Sequence, residues 1–374
     1  MSGLLSCTCT DRSMKRSIRS DNIYYINIEK NLKNIKPLPL SILGYNIEYI
    51  LPETNNNSLL SRISNVFVTD SSLFISDGNR ILHFNINGRF LKQIGTQGRG
   101  PGEYVSVSDF YSDIIDNEIY ILSPFRMLVY DFEGNFIRSF KIDFPCNQFI
   151  LSNDTLVFYP FNIPDPESES CELYFTNKSG LFLYKTMTSL KRVNRGLVVP
   201  RSCLYKYKNN LYFMEFGTDI LYKINNGHKE PYVIFDFGKM KINPDPTVSE
   251  ALEMKGKASI YKIMETDQAL FITICWGVAD SLTNCYYNKV SREFVVLKEN
   301  KFFNDMDGGI SFWPKIITAN GSFVDFRYAN EVLEKVKKIE RDNSKHPVSN
   351  AQTLFIKMAN KLNESSNPVV ILIK

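Results

Sequence analysis

A hairpin unit recurs along this chain at an almost constant spacing. Its first two copies read VFVTDSSLFISDGNRILHFNINGRFLKQI (66–94) and FYSDIIDNEIYILSPFRMLVYDFEGNFIRSF (110–140). Each copy contains short runs of β-branched and aromatic residues separated by turn residues, which is typical of strands. The turn glycines that mark the unit lie 46, 46 and 47 residues apart, at Gly88, Gly134, Gly180 and Gly227. Strands repeating at this period predict a radial array of small sheets.

The length of the chain sets the number of units. An isolated small sheet leaves its apolar face in water, whereas copies stacked around an axis bury each face against the next. The 374 residues exceed the roughly 250–300 at which a single compact core stops growing. Residues 47–328 make 282 positions, close to six units of 46. We therefore expect an all-β fold, a six-bladed β-propeller.

The remaining segments are predicted to complete this ring. We divide the chain into a remnant signal and tether (1–22), an N-terminal arm (23–46) and the propeller (47–374), which includes C-terminal amphipathic helices (329–362) and a closing strand (369–373). Residues 46–51 precede the first repeat and are expected to pair with the last blade. Apolar residues at helical spacing predict helices packed on the ring, the second one capped by Ser349 or Asn350.

The N-terminus contains a motif related to lipid attachment. The run Leu4-Leu5-Ser6-Cys7 resembles the lipobox at which bacterial lipoprotein precursors are cleaved and lipidated on cysteine. A complete signal needs a basic region and about 7–15 apolar residues before the cleavage site, and few precede it here. Either the true start lies upstream or the match is chance. The favoured interpretation is lipidation of Cys7 and a location in the cell envelope, as a periplasmic or outer-membrane lipoprotein.

Composition and cysteine spacing exclude several classes of protein. The chain has 44 basic and 40 acidic residues and no long basic run, so nucleic acid is not an expected partner. The longest apolar runs are strand-sized, so no transmembrane helix is expected. Seven scattered cysteines form no Cys-x-x-Cys pair. Cys275 and Cys285 bracket a predicted hairpin, and the sequence leaves open whether they form a disulfide.

The glycine-rich stretch IGTQGRGPGEY (94–104) links the first two repeats. It lacks the Gly-Lys-Ser/Thr ending of a phosphate-binding loop and precedes another strand, so a connection between blades is the better interpretation. This GxxGxGPGEY pattern, following ISDGNRILHFN, resembles the six-bladed propellers of the NHL-repeat and TolB-like superfamily, and above all the "6-bladed beta-propeller" lipoproteins of Gram-negative anaerobes. The resemblance implies an exported propeller and supplies no catalytic residues.

Four residues are candidate ligand contacts. Arg80 and Arg126 follow equivalent turns of the first two blades, 46 residues apart. They would bind an anionic ligand if both point to one mouth of the channel, and the alternative is a pair of exposed structural arginines. Trp276 and Trp313 occupy near-equivalent places in adjacent blades. An exposed pair would stack against a sugar, whereas packing in the core is the favoured interpretation.

No catalytic set is recognisable. The chain has only three histidines, His83, His228 and His346, which argues against a His-rich metal site. No cofactor is expected, although a Ca²⁺ site built from aspartates and carbonyl oxygens stays open.

The sequence therefore predicts a non-catalytic exported propeller that binds a glycan, a peptide or an envelope protein through one face. The alternative function is that of a metal-assisted lyase or hydrolase acting at the central channel. Residues 239–259 break the repeat and are an expected binding loop.

Overall fold

A computed structural model describes residues 23–160, 171–188, 203–244, 250, 253–277, 281–343 and 349–374. Residues 1–22, with the proposed lipidation site, lie outside the described residues, as do residues 245–249 and 251–252 of the binding loop predicted at 239–259. The N-terminal arm contains β1 (Tyr24–Asn27), helix α1 (Ile28–Asn31), β2 (Ile35–Lys36) and a 3₁₀ turn (Leu40–Ile42), and β3 (Ile47–Ile50) follows it.

The first three blades are consecutive antiparallel meanders of four strands. Blade 1 consists of β4 (Asn65–Val68), β5 (Ser72–Ser76), β6 (Ile81–Asn85) and β7 (Phe90–Ile94). A short parallel pair, β8 (Thr96–Gln97) and β9 (Glu103–Tyr104), forms in the glycine-rich connection. Blade 2 consists of β10 (Asp109–Asp113), β11 (Glu118–Ser123), β12 (Arg126–Asp131) and β13 (Phe136–Lys141). Blade 3 consists of β14 (Cys146–Ser152), β15 (Thr155–Pro160), β16 (Cys171–Asn177) and β17 (Phe182–Met187).

The last three blades incorporate the N-terminal arm. Blade 4 consists of β18 (Cys203–Tyr207), β19 (Asn210–Met214), β20 (Ile220–Asn225) and β21 (His228–Asp236), and β1 is added to it in parallel. Blade 5 consists of β22 (Ala258–Glu265), β23 (Ala269–Trp276), β24 (Ser281–Asn288) and β25 (Phe294–Leu297), and β2 is added in parallel. Blade 6 consists of β26 (Ile316–Ile317), β27 (Phe323–Arg327), β28 (Val369–Ile373) and β3. Further 3₁₀ turns span Gly238–Met240 and Lys298–Asn300.

The two ends of the chain close the ring within blade 6. Strand β3 pairs antiparallel with β28, with Ile50 opposite Val370 and Ile47 opposite Ile373. The expected pairing of residues 46–51 with the last blade is therefore confirmed. The first strands of successive blades, β4, β10, β14, β18, β22 and β26, are neighbours around the centre. The predicted six-bladed β-propeller is confirmed.

The hydrophobic core consists of six layers, one at each contact between blades. A representative layer joins blades 1 and 2 through Phe74, Ile94, Tyr104 and Tyr130, all of them at most 1% exposed. Equivalent clusters lie between the other neighbouring blades, including blades 6 and 1. Each blade therefore removes apolar surface from water only by stacking on its neighbours, which is what the repeat predicts.

The repeated glycines have the backbone conformation that their turns require. Gly88, Gly134, Gly180 and Gly227 all have positive φ, between +80° and +86°. A Cβ atom on Gly88 would lie 2.2 Å from the carbonyl oxygen of Leu51. Glycine is needed there both for the left-handed conformation and for the close approach of the closing segment.

Two helices lie between β27 and β28 and pack on the ring as predicted. Helix α2 (Ala329–Asn343) buries Val332 and Val336 in the layer between blades 5 and 6. Helix α3 (Asn350–Ala359) buries Phe355 and Ala359 in the same layer. Its N-cap is Ser349, which forms a reciprocal capping box with Gln352. Neither described helix is long and apolar enough to cross a bilayer.

Candidate binding site: the loop face and central channel

The two faces of the ring differ in their connections. Because the strands of each blade are antiparallel, links between second and third strands, and links to the next blade, emerge at one face. That face, called the loop face here, carries residues 51–64, 95–108, 298–315 and the helical segment 328–368. The opposite hairpin face carries turns of two to five residues, such as 69–71, 114–117, 208–209 and 226–227. Long segments that can contact a ligand are therefore concentrated on the loop face.

The first strand of each blade pairs on one side only, which leaves backbone groups free along the channel. Side chains from neighbouring blades bind these groups or one another. Asn65 Nδ2 donates to Asp109 Oδ1 at 2.9 Å, and the Phe149 amide donates to Asp109 Oδ2 at 3.2 Å. Gln148 Nε2 donates to the Leu204 carbonyl at 3.4 Å. These contacts join blades 1 to 4 around the channel wall and satisfy donors and acceptors that the sheets leave over.

Asp109 is an acid held inside this wall. Its carboxylate accepts hydrogen bonds from Asn65, from Phe149 and from its neighbour Phe110. Burial raises the pKa of Asp109 to about 7, although these hydrogen bonds and the charge of Lys262 act in the opposite direction. The group is therefore close to half-protonated near neutral pH.

Lys262 is the cation that faces Asp109 across the channel. It lies on β22, the first strand of blade 5, which neighbours β18 and β26, and its side chain is exposed to solvent. Its Nζ donates to the carbonyl of Lys315 on blade 6 at 2.6 Å. Desolvation and the charge of Lys315 lower the pKa of Lys262 to about 8, while Cys203 and Asp109 oppose that shift.

A β-bulge directs Lys262 into this position. The pairing of β22 with β23 shifts register between Ile260 and Lys262, so that Tyr261 is the extra residue. Of the remaining residues of this strand, Tyr261 is partly buried and all the others are buried. Bulges re-aim side chains and are common beside functional sites. Lys262 was not among the residues expected from the sequence, although a lone lysine within the apolar strand ASIYKIME was an available signal.

Two cysteines begin first strands beside these charges. Burial raises the pKa of Cys146 and of Cys203 to about 12 in each case. Both are therefore thiols at neutral pH, and neither is poised as a nucleophile.

The predicted arginines do not line the channel. Arg80 immediately precedes β6 and Arg126 begins β12, the third strands of blades 1 and 2, so both lie on the loop face but away from the centre. The Arg80 guanidinium donates to Asp77, at 3.2 Å, and to the carbonyls of Asn57 and Leu59. Arg126 donates to Ser139 Oγ at 3.0 Å.

A cavity on the loop face borders Arg80. It measures about 560 Å³, and its polar lining includes Asn79, Gln93 and Gln97. In the adjoining glycine-rich loop, the Gly100 amide has an internal acceptor, because it donates to the Glu103 carboxylate at 2.8 Å. This internal contact agrees with the interpretation of the loop as a connection between blades.

The two tryptophans do not occupy equivalent positions. Trp276 ends β23, is partly buried and donates from Nε1 to Thr283 Oγ1 at 2.8 Å. Trp313 precedes β26, is 4% exposed and stacks on Phe302 with ring centroids 5.9 Å apart. The structure therefore provides no exposed tryptophan pair, and Trp313 packs in the core.

Cysteines and potential metal ligands give no further site. Cys275 and Cys285 form no disulfide: they lie opposite Leu282 and Ile272 respectively, which places their side chains on opposite sides of the sheet. Within the described ranges, no group of three His, Cys, Asp or Glu residues is close enough to hold a metal ion. His83 is buried against Phe74 and bonds Ser72 at 3.0 Å.

Comparison with solved structures agrees with this fold. The chain is similar to a "Putative exported protein" of Bacteroides fragilis, at 16% identity, over 94% of this chain and 99% of that one, with a TM-score of 0.72. It is also similar to a DUF4221 family member of Bacteroides vulgatus, at 12% identity, over 67% and 86% of the two chains, with a TM-score of 0.49. No protein of curated function matches the sequence. A family match covers residues 23–374, and the chain belongs to the family described as "Domain of unknown function (DUF4934)".

Proposed function

We propose that this protein is a non-catalytic propeller of the cell envelope that binds a glycan, a peptide or an envelope protein through its loop face. The observation that carries the proposal is the asymmetry of the ring. One face consists of tight turns, whereas the other collects long connections, two helices and the mouth of a charged channel. Rigid scaffolds that present long loops on one side are typical of binding proteins.

Export is the second part of the proposal. It is supported by the similar Bacteroides fragilis protein, whose name describes export, and by the lipobox-like run that ends at Cys7. Membership of the NHL-repeat and TolB-like superfamily, inferred from the GxxGxGPGEY loop, belongs to the same proposal. Metabolic labelling with a fatty acid in the native host tests the anchor. We expect label on the wild-type protein and none on a Cys7→Ser variant, and equal labelling of the two would contradict lipidation at this residue.

Binding is tested with a glycan array and a library of extended peptides, followed by hydrogen–deuterium exchange on each hit. We expect protection in the loop-face segments 51–64, 95–108 and 298–315. Protection confined to the hairpin turns, or the absence of any hit, would contradict the proposal.

A matched pair of variants separates the two faces. Phe125 lies on the loop face, is 57% exposed and has a φ of +56°, which bulky side chains rarely adopt. Ile115 lies on the hairpin face and is 90% exposed. We expect Phe125→Ser to weaken binding of a hit and Ile115→Ser to leave it unchanged, and the reverse order would assign binding to the other face.

A further inference from the structure

The charges inside the channel are not balanced by the protein. Lysine has three N–H donors, and Lys262 uses one of them on the Lys315 carbonyl. Within the described residues, no carboxylate lies within ion-pair distance of the Lys262 or Lys315 ammonium groups. Both lysine side chains are exposed, so their remaining N–H donors are accessible to a ligand.

The nearest acid does not form an ion pair with Lys262 in the described part of the chain. Asp109 faces Lys262, but its two oxygens already accept hydrogen bonds from Asn65, Phe110 and Phe149. Its raised pKa, about 7, also leaves it only partly charged near neutral pH. The other titratable groups that act on Lys262 are the Cys203 thiol and the second cation, Lys315.

The cationic region continues towards the loop face. Lys301 lies in the connection from blade 5 to blade 6. Burial is the main cause of its lowered pKa, and the charges of Arg327 and Lys315 act in the same direction. The adjacent acid Asp325 is committed to Arg327, with an N–O distance of 2.6 Å, and to the Trp313 amide. Narrow openings lined by one sign of charge focus the electric field and concentrate oppositely charged solutes.

We infer that the central channel is a binding site for the carboxylate or phosphate group of a small anionic ligand, held by Lys262 with Lys315 beside it. The anion accepts the two N–H donors that Lys262 does not use, and such charge-assisted bonds are about twice as strong as neutral ones. The β-bulge at Tyr261 presents Lys262 for this contact. The site lies within the ring, so it stands independently of whether a macromolecule binds the loops.

The inference is tested by calorimetry on the full chain with three probes: inorganic phosphate, glucuronate and, as the neutral counterpart, glucose. We expect binding of phosphate, glucuronate or both, and no binding of glucose. Phosphate alone or glucuronate alone would each support the site and identify the preferred anion. Failure of both anions at millimolar concentration, or equal binding of glucose and glucuronate, would overturn the inference.

Proton linkage makes the test specific for Lys262. Because its pKa is about 8, anion binding at pH 8 should take up about half a proton, and almost none at pH 6. Titrations in two buffers of different ionisation enthalpy measure this uptake. A Lys262→Arg variant, which stays protonated, should retain binding and lose most of the uptake at pH 8.

Substitution supplies the remaining control. We expect Lys262→Met to weaken anion binding at least about tenfold, equivalent to about 1.4 kcal/mol. Lys357→Met removes an exposed lysine of α3 and should leave binding unchanged. Equal affinity of Lys262→Met and the wild type would overturn the inference. If Lys262→Met fails to fold, the loss of proton uptake in Lys262→Arg decides the question.

Discussion

Substitution of Asn367 should weaken the contact between blades 6 and 1, where the ring closes. This residue is 1% exposed and precedes β28. Its Oδ1 accepts from Leu60 N at 2.8 Å, and its Nδ2 donates to the carbonyls of Glu53 at 2.8 Å and Ser58 at 2.9 Å. Asn367→Leu keeps the branched outline of the side chain but leaves the Leu60 amide and the Ser58 carbonyl without partners, whereas the Glu53 carbonyl still accepts from Ser58 Oγ. At about 1–3 kcal/mol for each buried group, we expect a loss of about 2–6 kcal/mol in the free energy of unfolding.

The assay is urea unfolding followed by the fluorescence of Trp313, which is 4% exposed beside blade 6. The matched control is Asn363→Leu, because Asn363 lies in the same segment, is exposed and accepts one bond, from Ser365 N. A surface change of this kind should alter the free energy of unfolding by about 0.5 kcal/mol or less. If Asn367→Leu lowers the urea midpoint no more than the control does, the closing segment is not held by these hydrogen bonds.

A buried ion pair within blade 5 and two pH responses give further expected outcomes. Lys289→Met should destabilise the protein by about 3–5 kcal/mol in urea, because it leaves the buried Glu265 carboxylate without a cation, with only the Tyr205 and Tyr232 hydroxyls donating to it, and a second change, Glu265→Gln, should restore part of that loss. Asp109 has a folded pKa of about 7, above its unfolded value, so its contribution to stability is present below pH about 4 and is lost as pH rises through 7. Asp109→Asn should remove that decline in a series of thermal unfolding curves, and an unchanged profile would contradict the raised pKa. His83 has the opposite sign: burial lowers its pKa to about 4, so its contribution is lost as pH falls from about 6.5 to 4. His83→Gln should flatten the acid limb over that range, and NMR titration of the wild-type ring checks the pKa directly.

Local sequence signals predicted the ring because each blade forms from adjacent hairpins. Turn glycines such as Gly88 and Gly134 fix where third and fourth strands meet, and alternating apolar runs fix which faces stack. The closing pair, β3 with β28, was also predictable, because the segment 46–51 had no partner nearby in the sequence. The repeat therefore predicted contacts between distant parts of the chain as well as the local hairpins.

Some side-chain positions depend on whether a strand is the first, second, third or fourth of its blade, and the repeat did not predict these positions. Arg80 and Arg126 have matching sequence contexts, but only the sheet order shows that they belong to third strands, away from the channel. Lys262 reaches the channel through a bulge at Tyr261, which no spacing rule indicated. The parallel addition of Tyr24–Asn27 to blade 4 depends on a partner more than 200 residues away and had no local signal.

The N-terminal arm covers the outer strands of some blades and not of others, so the rim of the propeller is asymmetric, as its two faces are. Strands β1 and β2 cover the outer edges of blades 4 and 5, and Asn27 Nδ2 fixes the first of them to Asp236 at 2.8 Å. Among the residues that the structure describes, no arm strand pairs with the outer strands of blades 1 to 3, and on blade 3 the apolar residues Leu181 and Leu183 are 67% and 45% exposed. An uncovered apolar edge can accept another strand. The arm therefore covers the outer strands of two of the six blades, and any association of folded chains through their edges should begin on the blade 3 side.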